Sequence, residues 1–110
     1  MLEELNTIVE RTGLPVETGV FSGTAPDEYV VITPISEHFG LFSDDGPGMN
    51  IEEARLSLYS KKNYTQKKDL LVRMLLTAGF TVSDRQYIGH EADTGYHHYS
   101  IDLAQEREEI

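Results

Sequence analysis

The sequence predicts an α+β fold in two layers, an antiparallel or mixed sheet with one long and one short helix packed on one face. Three observations point there. Residues 64–78 repeat apolar positions at helical spacing, residues 54–60 alternate apolar and polar, and residues 81–103 read as two strands around a turn. Alternation with one apolar side calls for a sheet covered on a single face, and helices supply that cover.

The elements follow in order. Leu2–Thr12 reads as a short amphipathic helix, with Leu2, Leu5, Ile8 and Val9 on one stripe and Glu3, Glu4 and Glu10 facing away. Acids in its first turn complement the helix dipole, and Gly13 with Pro15 ends it. Gly19-Val20-Phe21 is read as a brief strand, and Ser22–Asp27 as loop. Tyr29–Ile35 is rich in β-branched residues and is the firmest early strand. Pro34 cannot donate to a ladder, so that strand is expected to lie at an edge or to end there. Phe39–Ser43 reads as a short continuation, and Asp44–Gly48 as a mobile acidic loop.

In Ala54–Ser60, Ala54, Leu56 and Leu58 take one face while Arg55, Ser57 and Tyr59 take the other. Asn63 is placed to cap the long helix, with Gln66 in capping-box register. Leu71, Met74, Leu75 and Ala78 form its stripe, Leu70 widens it, and Gly79 closes it. Thr81–Ile88 and Tyr96–Leu103 complete the sheet around Asp93-Thr94-Gly95, with Tyr99, Ile101 and Leu103 on the buried face. Residues 105–110 read as a flexible acidic tail. One domain over residues 1–110 is expected, because a chain of 12.4 kDa buries roughly two-thirds of its unfolded surface.

Composition excludes several functions. With no cysteine there are no disulfides, thiolate metal sites or cysteine nucleophiles. The first residues carry acids where a secretory leader needs bases, and no apolar run reaches membrane-spanning length. A net charge of −10 opposes contact with phosphate backbones. That charge is uneven. No Lys or Arg occurs between Thr12 and Ala54, whereas Lys61, Lys62, Lys67, Lys68 and Arg73 supply five of the nine basic residues. Opposite-signed surfaces of this kind suit docking onto further copies or another acidic partner.

Candidate chemistry is sparse. His90, Asp93, His97 and His98 are the best metal-ligating set, since zinc takes imidazole and carboxylate ligands. Adjacent strand residues face opposite sides, however, so at most one of His97 and His98 can join His90 and Asp93. No metal, cofactor or catalytic residue is therefore expected. No nucleophile elbow or phosphate-binding glycine loop is present, and Asp44 and Asp45 have no pocket to make them catalytic. Tyr59 with Lys61-Lys62-Asn63-Tyr64 is a weak base-stacking pattern in a chain with nineteen acids.

The order of segments resembles a known family. A leading helix enters Leu14-Pro15-Val16-Glu17-Thr18-Gly19, and the 29–35 strand follows. Residues 54–60 then enter Lys61-Lys62-Asn63-Tyr64, and a long apolar helix leads to Asp93-Thr94-Gly95-Tyr96-His97-His98-Tyr99-Ser100-Ile101. This resembles the tail-completion, or tail-terminator, proteins encoded among the head–tail joining genes of long-tailed phages and prophages. The resemblance implies a non-enzymatic ring subunit, commonly hexameric, although isolated subunits can stay monomeric until they meet the tube. Its partners would be further copies, the tail-tube protein and the head connector, with no direct nucleic-acid or membrane binding. It would act in the host bacterial cytoplasm during assembly and then in the virion tail. The implied contacts are Asp44 and Asp45 on one side and Lys61, Lys62, Lys67 and Lys68 on the other. The alternatives are an acidic DNA mimic or regulatory protein-binding domain, and after these a metal-dependent enzyme.

Overall fold

The computed structural model describes residues 1–19, 23–39, 42–43, 46–47 and 49–108. Helix α1 (Leu2–Arg11) leads to strand β1 (Val16–Thr18) and then to the long strand β2 (Glu28–Phe39). A two-residue pair, β3 (Phe42–Ser43) with β4 (Gly46–Pro47), precedes strand β5 (Met49–Ser60). Helix α2 (Tyr64–Thr77), strand β6 (Thr81–His90) and strand β7 (His97–Glu108) complete the chain. The main sheet has the order β1-β2-β5-β7-β6. Only β1 and β2 run parallel, so the sheet is mixed. The α+β expectation holds.

Both helices cover the same face. Leu5, Ile8 and Val9 of α1 and Leu71, Val72 and Leu75 of α2 share one core with Val30, Ile32, Leu56, Leu58, Ile101 and Leu103. Leu56 sits at its centre, fully buried, with Ile32 and Ile101 as register partners on either side. The alternation of residues 54–60 thus does what the pattern predicts, and Ser57 on the opposite face is also buried.

Asn63 caps α2, but its side chain accepts from the Thr65 N–H at 3.1 Å, one residue short of the capping-box donor. The helix ends in a Schellman motif. Gly79 takes φ +91, the Phe80 N–H donates to Leu75 O, and the Gly79 N–H donates to Leu76 O. Phe80 and Leu75, the two hydrophobic residues of that motif, are both in the core.

Several expectations shift. The first short strand described is Val16–Thr18; Gly19 bends the chain, and positions 20–21 of the expected strand lie outside the described residues. Strand β2 does not end at Pro34. It makes a bulge at Ile35 and runs on to Phe39. Proline is accommodated because β1 pairs only as far as Ile32, which leaves β2 a local edge at position 34. Gln105–Glu108, expected in a flexible tail, continue β7 and pair with Met49–Glu52. Ala78, expected in the core stripe of α2, is exposed; Val72 takes a core place, and Leu70 and Met74 are half-buried.

The strands outrun the helices. A twelve-residue strand spans about 40 Å, whereas α2 and α1 span about 21 and 15 Å. The molecule measures 54 × 24 × 22 Å. Beyond Ile32, Ala54 and Leu103, strands β2, β5 and β7 continue as a ribbon outside the core.

Candidate functional site

All six tyrosines gather at one end of the molecule, near the β6–β7 turn, together with three of the four histidines. Strand parity divides them between two clusters. On the helix-free face, Tyr29, Tyr59 and His98 are register partners across β2, β5 and β7. Tyr59 is stacked between the other two, at 4.9 Å from Tyr29 and 4.3 Å from His98. Tyr96 meets Tyr29 and Tyr59 edge-on, and its hydroxyl donates to Pro26 O at 2.6 Å, tying the preceding loop to the sheet. With both ring faces covered, Tyr59 offers no platform to a nucleobase. Burial raises the pKa of Tyr29, with Tyr96 adding to it; burial and then Glu91 raise that of Tyr59.

The second cluster lies on the helix side. Tyr64, at the start of α2, stacks on Tyr87 and Tyr99 at 5.2 and 5.8 Å. His97 lies against Tyr64, its Nδ1 is 2.9 Å from the Tyr87 hydroxyl, and its ring is 4.6 Å from that of His90. His97 and His98 therefore do face opposite sides. Burial holds His98 below the ordinary imidazole pKa, against an opposing pull from Glu91. Its Nε2 is buried without a hydrogen-bond partner among the described residues. His90 and His97 come together, but no group of three metal-ligating side chains forms among the described residues.

The lysines do not form one basic surface. Lys61 lies over the Tyr96 ring at 4.8 Å and 4.0 Å from Asp27. Lys68 pairs with Asp69 at 2.8 Å, which raises its pKa, and it also lies over Tyr99 at 5.4 Å. Lys67 reaches the Thr12 carbonyl at 3.4 Å, and Lys62 is exposed. Asp44 and Asp45 lie outside the described residues. Sequence reasoning placed the basic charge by its density along the chain, which does not reveal these neighbours.

Sequence reasoning also missed the ribbon. Glu37 and Glu52 are direct cross-strand partners there, and like charges so placed repel. Glu37 accepts from Asn50, and Glu53 accepts from Ser36. Beside them Ile35, displaced at the bulge, is 49% exposed. The only clue in sequence was the absence of Lys and Arg from 13 to 54.

No family model matches the chain, and no curated protein matches it. Among the described residues, no helix is long and apolar enough to cross a membrane.

Proposed function

We propose that this chain is a structural assembly subunit that closes into a ring and caps the tail tube at the head–tail joint of a long-tailed phage or prophage. The observation that carries the reading is the ribbon of β2, β5 and β7 beyond the core. It exposes Ile35 beside the cross-strand carboxylates of Glu37 and Glu52, a surface whose use lies in contact with a partner. The order of segments resembles the tail-terminator family, and a contact between unlike surfaces generates rings when its rotation closes. The partners in this reading are further copies, the tube protein and the connector, first in the host bacterial cytoplasm and then in the virion tail. A net charge of −10 per subunit would keep DNA phosphates off the wall of a central channel.

The test is deletion of the gene from a phage or inducible prophage that carries it, followed by electron microscopy of the lysate. Tubes of uncontrolled length, unjoined to filled heads and corrected by a plasmid copy, are the expected result. Tails of normal length on normal particles would overturn the proposal.

A further inference from the structure

The apolar stripe of α2 is wider than the sheet covers. Leu70, Met74 and Ala78, at i, i+4 and i+8, line an open groove with Ile8 of α1. Arg11 and Arg73 border this groove, and neither is in an ion pair among the described residues. Two guanidinium groups thus border an uncovered apolar floor in a chain of net charge −10, and the charge of Arg73 also acts on Asp69. The groove runs on past Arg73 to Lys67 and Asp69, and on its other side to Glu3 and Glu4 of α1.

The ribbon carries the complement. Ile35 stands beside Pro34, Ala54 and Leu2; Glu37 and its register partner Glu52, on the face of Ala54, border this apolar surface, whereas Glu53 and its partner Ser36 take the other face. One surface is apolar and bordered by carboxylates; the other is an apolar groove whose nearest charges are Arg11 and Arg73.

We infer that the apolar surface around the exposed Ile35 of one copy packs on the α1–α2 groove of a second copy, with Glu37 meeting Arg11 or Arg73. The inference rests on the ring reading for its partner and names the contact that would close the ring. The occupant is a second copy because both halves of the complementarity, apolar and charged, are present on this chain at separate places. The two surfaces differ, so the contact is heterologous and each copy can use both at once. Bidentate arginine–carboxylate pairs would fix its register.

The chain has no cysteine, which makes disulfide trapping direct. Ile35→Cys protein carrying a size tag is mixed with Thr77→Cys protein, both concentrated and mildly oxidised. The mixed disulfide is expected to dominate over either homodimer. Adding Arg11→Glu and Arg73→Glu to the Thr77→Cys protein should cut its yield about tenfold, as loss of close charge pairs does. Adding Glu37→Lys to the other protein should restore part of it. Arg73→Glu alone, an exposed position, repeats the test without reversing a charge at the end of α1, and far-UV circular dichroism checks folding.

A mixed disulfide no more abundant than the homodimers, or one indifferent to charge reversal, would overturn the inference. Failure of the ring reading looks different. If sedimentation shows the unmodified chain forming closed rings while these cysteines do not cross-link, the ring stands and this contact falls. If they cross-link with the expected charge dependence and the double-cysteine chain gives only open ladders, the contact stands and the ring falls.

Discussion

Tyr59→Leu isolates what the aromatic row contributes. The substitution keeps an apolar side chain but removes ring contacts to His98 at 4.3 Å, Tyr29 at 4.9 Å and Tyr96 at 6.2 Å. Aromatic pairs contribute about 0.5–1.5 kcal/mol each beyond their buried area. Three contacts sharing one ring are not additive, and Tyr59 is only half-buried, so a loss of about 2 kcal/mol is expected. In a domain this size that lowers Tm by about 10 °C. Tyr59→Phe keeps every ring contact and should stay within about 0.5 kcal/mol of wild type. Urea titration followed in the near-ultraviolet is a local assay, because the chain has no tryptophan and all six tyrosines sit at this end. Far-ultraviolet dichroism reports the backbone of the whole sheet. A leucine variant within 0.5 kcal/mol of wild type, or a phenylalanine variant as unstable as the leucine one, would refute the reasoning.

Three further outcomes follow. Leu56→Ala should cost about 2–5 kcal/mol, whereas Arg55→Ala, losing an exposed ion pair to Asp102, should cost under about 1 kcal/mol; similar urea midpoints for the two would contradict their assigned faces. His98 binds its proton less readily folded than unfolded, so the unfolded chain holds more protons just below pH ~6.5 and stability rises with pH there. The wild-type midpoint should therefore fall further between pH 7 and pH 5 than that of His98→Phe, and parallel curves would rule this out. Gly79→Ala should cost about 1 kcal/mol from backbone strain alone, since an added Cβ meets nothing within 4 Å at φ +91; a thermal melt unchanged from wild type would refute it.

Local chemistry made much of the fold legible. Asn63 and Gly79 delimit α2, residues 54–60 declare their buried face, and the adjacency of His97 and His98 predicts their separation. Long-range pairing was not legible. Ser36-Glu37-His38 and Gln105–Glu108 have no apolar alternation and are strand only because β5 lies between them. The parallel partnership of Val16–Thr18 with Val30–Ile32 leaves no local mark either. Of the expected contact residues, Lys61 and Lys68 meet acids and rings of the same chain, a fact of tertiary neighbours. The groove of Leu70, Met74 and Ala78 was visible as an apolar stripe, but not as an uncovered one.

The irregularities of strand pairing bear on how copies of this chain avoid joining edge to edge. A free sheet edge with a straight row of amides and carbonyls invites another strand, and growth by that route has no natural end. Here β6 departs from regular register at Ser83 and again at Ile88, with Asp84 and Arg85 between them. On the opposite side β1 is three residues long, and where it stops Pro34 and the Ile35 bulge interrupt the exposed margin of β2. Each margin is thus a poor template. Copies of this chain are thereby steered away from unlimited fibre-like addition at either margin.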